Sequence, residues 1–194
     1  MVARVNRQIL LKSRPEGAPS LDNFALKQGS VPESGDGEVL MRTLWLSLDP
    51  YMRGRMSAAK SYAKPVEVGA TMVGGTVGEV VASRNPNFAV GDIAVGYGGW
   101  QDYAVASGSG LRKLNPAAAP VSTALGVLGM PGMTAYAGLL EIGRPKGAET
   151  VAVAAASGAV GSVVGQIAKI KGCRAIGIAG DRTNAAWRGH RSED

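Results

Sequence analysis

Residues 149–180 constrain the fold more than any other stretch, because their hydrophobic period changes twice. Residues 151–155 (Val-Ala-Val-Ala-Ala) form an unbroken apolar run, the pattern of a strand buried on both faces of a parallel sheet. A turn of small residues follows at 156–161 (Ala-Ser-Gly-Ala-Val-Gly). Val160, Val163, Val164, Ile167 and Ala168 then recur at helical spacing, with Ser162, Gln166 and Lys169 off the stripe. Gly172 suits the position that closes a helix, and residues 175–179 repeat the buried-strand pattern. Strand, turn, helix and strand within about thirty residues make one βαβ unit.

The turn is a variant of the dinucleotide fingerprint Gly-x-Gly-x-x-Gly. Ala156 takes the first glycine's place, and Gly158 and Gly161 keep the others. Gly158 lets the backbone approach a pyrophosphate. Gly161 lets the helix pack closely on the strand, and Gly165 and Ala168 are expected to continue that small face. The helix N-terminus offers unpaired N–H groups and a positive dipole end to an anion. The same glycines would also suit a turn packed tightly for its own sake. With 28 glycines in the chain, the motif gains its meaning from lying between an apolar run and an amphipathic helix.

A length of 194 residues allows one large or two small domains. The single cysteine, Cys173, excludes an intrachain disulfide and a multi-cysteine zinc site. It stands where the helix meets the second strand, the place of a small buried hydrophobe rather than a nucleophile. The only histidine is His190, so catalytic zinc lacks a ligand set and no metal is expected. The net charge of +6 is spread without a Lys/Arg-rich run. That argues against nucleic-acid binding and suits the steering of anionic ligands. No apolar run approaches the ~18 residues of a membrane span, and residues 1–8 lack a signal-peptide core. A cytoplasmic protein that does not engage membrane is expected.

Residues 1–120 read as β-rich. Strands are expected at 8–12, 38–48, 72–82, 93–95 and 100–106, with a loop at 13–23 and Asp49-Pro50 ending the strongest strand. Gly74, Gly75 and Gly78 suggest a bend or bulge within the third. Short strands with Gly/Pro punctuation suggest a small barrel-like domain. Residues 114–120 form a Pro/Ala linker. A helical region at 121–142 is interrupted at 129–132, where Pro131 suits a helix start. Met133, Tyr136, Ala137 and Leu140 make the second helix's expected apolar stripe, and Gly143 ends it.

Three segments together carry a family resemblance: residues 46–56 (LSLDPYMRGRM), 128–136 (LGMPGMTAY) and 155–166 (AASGAVGSVVGQ). In this order they resemble the medium-chain dehydrogenase/reductase superfamily. More narrowly, the chain is similar to the zinc-independent branch of leukotriene B4 12-hydroxydehydrogenase/prostaglandin reductase, plant alkenal reductases and bacterial curcumin reductase. The resemblance spans nearly all of residues 4–180. It implies a mixed α/β fold: a GroES-like catalytic domain at 1–120 and the first βαβ part of a Rossmann domain at 121–180. Residues 181–194 lack the family pattern.

The resemblance also implies a chemistry: reduction of the C=C bond of α,β-unsaturated carbonyls, or of quinones, with NADPH rather than NADH and without zinc. Tyr51 matches a tyrosine that lines the substrate pocket, where its phenol can donate to the carbonyl oxygen. It would equally suit a tyrosine packing a strand end. Ala159, Val160, Gly161 and Ser162 match the pyrophosphate-contacting turn, with Ser157 and Gly158 leading into it. Met130 and Thr134 match positions near the nicotinamide, or serve helix packing and capping. Arg53 and Arg55 suit a phosphate or carboxylate contact, or are solvated. Family members form homodimers, whose contact segments are expected to be largely absent here.

The end of the chain departs from the pattern. Asp181 and Asn184 stand where the family has a small residue and a lysine for the 2′-phosphate. A truncated or frameshifted C-terminus is the expectation, with weak cofactor binding and slow turnover. The alternatives are a non-catalytic nucleotide-binding or interaction fragment, and a nucleic-acid binder suggested by charge alone.

Overall fold

The structure is a computed structural model and describes residues 5–180. The chain divides into two compact units, Met1–Ser122 and Thr123–Asp194. The expectations for Asp181, Asn184 and His190 fall outside the described residues.

The first unit is built on an antiparallel sheet. Its strands are β3 (Glu38–Leu46), β4 (Thr76–Ser83), β5 (Ile93–Gly96), β6 (Tyr103–Ser107) and β7 (Arg112–Leu114), in the order β6-β3-β4-β5-β7. A hairpin of β1 (Val5–Leu11) and β2 (Phe24–Ser30) joins it through isolated bridges at Gln8–Gln101 and Leu10–Thr71. Register shifts between Leu40 and Met41 and between Thr43 and Trp45 bend β3. Gly78 lies where a Cβ would stand 2.7 Å from the Arg42 carbonyl oxygen, so a close backbone approach fixes that glycine.

Alternation along the strands fills the core. Val39, Met41, Val80 and Ala94 pack together, with Phe88 and Leu111 at the margin. A second cluster holds Leu11, Met52, Met56, Val66 and Met72. Phe24, Tyr51, Val73 and Trp100 lie against it, with the Phe24 and Trp100 rings stacked at 5.6 Å. Polar groups are matched nearby. Asn6 is 3% exposed and exchanges bonds with the Tyr103 backbone at 3.0 and 2.9 Å. Gln8 donates to Gln101 at 2.8 Å.

Three features of this unit differ from the sequence reading. The strand β2 follows the 13–23 loop; its Lys-Gln-Gly-Ser end has little strand propensity, and pairing with β1 along its whole length supplies the missing drive. The strand expected at 72–82 begins at Thr76, because residues 71–74 are held by β1 and the Gly99-Trp100 backbone instead. Residues after Pro50 form a helix, α1 (Tyr51–Arg55). The proline that stops a strand also has a φ of −56°, which starts a helix.

The second unit contains α2 (Met130–Tyr136), a π-helical turn (Ala137–Gly143), β8 (Thr150–Val153), α3 (Ala159–Ile170) and β9 (Arg174–Gly177). The strands β8 and β9 are parallel, with Val151 opposite Ala175 and Val153 opposite Gly177. Leu139, Ala168 and Cys173 form the core, with Leu140, Val151, Val164 and Ile167 against it. Cys173 is the expected small buried residue.

Three expectations need correction here. The two strands are not buried on both faces: every residue of β9 is exposed. Among the described residues the sheet has two strands, too few to cover both of its faces. Met133 and Tyr136 are exposed at 67% and 51%, and the buried side of α2 is Pro131, Gly132 and Ala135. Close approach selects the small residues, since Gly132 abuts the Val127 carbonyl with no room for a Cβ. Gly165 has no neighbour within 4 Å of a Cβ position, so the small face of α3 runs from Gly161 to Ala168 without it.

Candidate functional site

The turn between β8 and α3 is set by backbone geometry. Ala155 adopts a φ of 48°, a left-handed conformation that costs a residue with a side chain about 1 kcal/mol. Ala156 is fully buried, and its N–H donates to the Ile178 carbonyl at 3.0 Å. The Gly158 N–H closes back on the Ala155 carbonyl at 2.8 Å. Gly158 then caps α3 in an extended conformation, without a side-chain cap. A Cβ on Gly161 would stand 2.5 Å from the Ala155 oxygen and 2.8 Å from the Ala156 Cα. The third glycine of the fingerprint therefore seats the helix on the turn.

The helix begins with free donors. The Ser162 N–H makes the first bond of α3, to the Gly158 carbonyl at 2.9 Å. The N–H groups of Ala159, Val160 and Gly161 have no partner among the described residues. No acidic residue occupies the first turn, and Gly158 and Ala159 are exposed. Three unpartnered amides and the dipole's positive end thus stand on a small-residue turn whose Gly158 and Ala159 are exposed, which suits a phosphate oxygen. Ser157 is half-buried at the turn. The Ser162 hydroxyl donates to the Ala159 carbonyl at 3.3 Å.

Met130 and Thr134 lie on α2 of the same unit. Met130 is 48% exposed. The Thr134 hydroxyl donates to the Met130 carbonyl at 2.8 Å, the intrahelical bond expected of a threonine one turn on.

Tyr51 belongs to the first unit, at the start of α1. Met52 and Met56 anchor that helix in the core at 3% exposure each, which stabilises it by about 1.5–3 kcal/mol per side chain. Met52 N–H donates to Asp49 at 3.0 Å, and Val66 N–H donates to the Arg55 carbonyl at 2.7 Å. Tyr51 is half-buried beside this cluster. Burial pushes its phenol above the ordinary tyrosine value; Asp49, Tyr97 and Tyr62 add to this, while Arg55 opposes it. The group is a neutral O–H donor at physiological pH.

The two arginines of α1 have different surroundings. Arg53 donates to the Gly17 carbonyl at 2.9 and 2.7 Å and to the Pro15 carbonyl at 3.1 Å, tying the 13–19 loop to the helix. Arg55 has a buried Nε with no partner among the described residues. Sequence reasoning did not find the Arg53 strap. Its only trace is the run of backbone-rich turn residues Pro15, Gly17 and Pro19, which leave carbonyls free. Among the described residues no group of three or more His, Cys, Asp or Glu could hold a metal ion.

A mixed α/β chain with a bent antiparallel sheet, a βαβ unit and an uncapped fingerprint turn has the parts of a nucleotide-dependent oxidoreductase. Residues 7–114 match the family described as the N-terminal domain of oxidoreductase. The NADPH-dependent curcumin reductase of Escherichia coli (strain K12) is 57% identical over 175 residues, 90% of this chain and 51% of that protein. Prostaglandin reductase 1 of Rattus norvegicus is 48% identical over 180 residues, covering 91% and 53%. The crystal structure of CurA in complex with NADPH from Vibrio vulnificus superposes with a TM-score of 0.90 at 55% identity, covering 95% of this chain and 55% of that one. The chain belongs to the medium-chain dehydrogenase/reductase family, with that family's GroES-like and Rossmann-type fold classes, and is similar to curcumin and prostaglandin reductases. It spans about half the length of the curated relatives it matches.

Proposed function

We propose that this chain carries the substrate-side and first cofactor-side parts of an NADPH-dependent reductase of α,β-unsaturated carbonyls, with quinones in the same substrate class. The observation that carries this reading is the α3 N-terminus. Three unpartnered amides stand on a fingerprint turn, in a chain 57% identical to an NADPH-dependent reductase.

NADPH, when bound, supplies the hydride that adds to the substrate's β-carbon. The chain's own residues bind and polarise. The turn of Ser157, Gly158, Ala159, Val160, Gly161 and Ser162 would hold the pyrophosphate, with the unpartnered backbone N–H groups of Ala159, Val160 and Gly161 as its donors. The free amides and the absence of acidic side chains in the first turn fit that group. Met130 and Thr134 would flank the nicotinamide. Tyr51 would donate its phenol proton in a hydrogen bond to the carbonyl oxygen, steadying the enolate's negative charge. Its raised pKa keeps the proton available across the neutral range. The mechanism needs no zinc.

The same proposal sets the domain limits at 1–120 for the GroES-like part, 121–180 for the partial Rossmann part and 181–194 for a tail outside the family pattern. It also assigns a cytoplasmic setting and no nucleic-acid or membrane partner. Among the described residues, no helix is long and apolar enough to cross a membrane.

A second reading, a nucleotide-binding or interaction fragment without turnover, is favoured by one observation: β9 is exposed throughout. One experiment separates the two. Tryptophan fluorescence is titrated with NADPH and NADH, then NADPH absorbance is followed with an enone present. Saturable NADPH binding with slow, Tyr51-dependent oxidation supports the reductase reading. Binding without turnover supports the fragment reading, and cooperative melting without binding of either nucleotide overturns both.

A further inference from the structure

Six of the seven methionines fall among the described residues, and they stand in two environments. Met41, Met52, Met56 and Met72 are core side chains, each at 7% exposure or less. Met130 and Met133 are 48% and 67% exposed. Both stand on α2, three residues apart, so their side chains are neighbours on the helix surface. The packed side of α2 is formed by Pro131, Gly132 and Ala135, and the core cluster of the second unit contains neither methionine. Core packing therefore accounts for four thioethers and leaves the two on α2 open to a small reagent in solvent.

Oxidation converts a methionine from a flexible apolar side chain into a polar, chiral one. The sulfur lone pair attacks one oxygen of hydrogen peroxide, the O–O bond breaks and an S–O bond forms. The sulfur gives up two electrons, the peroxide takes them, and the second oxygen leaves as water. In a core this change disrupts packing. On α2 the backbone is held independently of the sulfurs. The Thr134 hydroxyl donates to the Met130 carbonyl at 2.8 Å, and the Met133 N–H donates to the Gly129 carbonyl at 2.9 Å. The change in polarity is thus confined to the surface that the two side chains present.

We infer that Met130 and Met133 are a peroxide-sensitive pair, and that the sulfoxide at Met130 lowers the affinity of this chain for NADPH. This rests on the reading that sets Met130 beside the nicotinamide, and adds reversible control by oxidant to that site. A thioether makes favourable contacts with an aromatic ring. A sulfoxide brings a dipole that must be stripped of water to occupy the same place. The return reaction uses a thiol reductant: two thiols become a disulfide and the sulfoxide oxygen leaves as water, with one reductase for each sulfoxide epimer.

The test exposes the full chain to hydrogen peroxide, with and without NADPH, followed by tryptic peptide mapping and calorimetric titration with NADPH. Oxygen should enter Met130 and Met133 about tenfold faster than Met41, Met52, Met56 and Met72. NADPH should slow the reaction at Met130 more than at Met133. The oxidised chain should keep its melting temperature and bind NADPH about fivefold more weakly, the scale of one desolvated dipole. Both sulfoxide reductases with dithiothreitol should restore the affinity. Peroxide should leave the NADPH affinity of Met130→Leu where it stood before treatment, and should weaken that of Met133→Leu as in the parent chain. Equal oxidation of core and α2 methionines overturns the selectivity. Selective oxidation with unchanged NADPH affinity overturns the control and leaves the nucleotide reading standing. Failure of the untreated chain to bind NADPH overturns both. The peptide map and the titration of the parent chain need no variant, so a misfolded substitution leaves the proposal exposed to disproof.

Discussion

The two units bury their chains by opposite means. In the first, large side chains are fully enclosed: Leu11, Val39, Met72, Val77 and Val80 have less than 2% exposure. In the second, among the described residues, the hydrophobic side chains at 0% exposure are Ala156 and Ala168, and the large ones lie mostly outside. Ile142, Ile170 and Ile178 are 82%, 80% and 60% exposed. One unit is held by apolar volume and the other by close approach of backbone to backbone. Adding atoms should therefore harm the second most, and removing them should harm the first.

The largest effect is expected from Gly161→Leu. Its Cβ would meet the Ala155 oxygen at 2.5 Å, so the helix must leave the turn, at a cost of about 3 kcal/mol or more. Calorimetry should show the transition of the second unit lost and that of the first kept, together with loss of NADPH binding. An unchanged melt would break the close-approach account. Leu11→Ala should do the reverse, destabilising the first unit by about 3 kcal/mol through an unfilled cavity. It should leave the NADPH titration unchanged.

Smaller effects sharpen the comparison. Ala155→Gly should stabilise the second unit by about 1 kcal/mol, because glycine accepts the φ of 48° without strain. A loss in melting temperature would mean that Ala155 contributes contacts that outweigh its backbone strain.

The smallest effect concerns acid. Arg7 holds the Asp102 carboxyl below the usual carboxylate range, through a hydrogen bond at 2.7 Å. A depressed folded-state pKa adds stability above the unfolded value of about 3.9 and loses it as pH falls through the folded value. The pair is partly exposed, so screening keeps the gain small. Asp102→Asn should flatten the fall in first-unit stability below about pH 4, followed by tryptophan fluorescence. A slope equal to that of the parent chain would remove the pair from the account.

The sequence was most readable where local pattern and tertiary environment agree. The α3 stripe is such a place: Val163 and Ala168 are buried, and Gly161 sits where a side chain would collide. Residues 175–179 show where the two part company. Their apolar run reports the environment of a strand within a full sheet, whereas the described sheet has two strands. Met133 and Tyr136 fit a helical period, yet the face of α2 that packs is chosen by the smallness of Gly132 and Ala135, which a hydrophobicity pattern does not register. For the candidate site, the turn was legible because backbone geometry leaves a glycine signature. Tyr51 was legible only through resemblance. The split between Arg53 and Arg55 depends on carbonyls 36 to 38 residues away, and no local signal encodes it.

The bridge between Gln8 and Gln101 also bears on the order of folding. Arg7 and Asp102 are separated by 95 positions, so the first unit closes between segments far apart in sequence. A pairing of such contact order waits for a large loop to close, and folds slowly for its size. On a ribosome, the hairpin of β1 and β2 would emerge early and remain without its sheet until residue 103 had cleared the exit tunnel. The second unit, whose strands are joined by a single helix, has no such delay. The part of the chain with the larger core is thus the part most dependent on protection during synthesis.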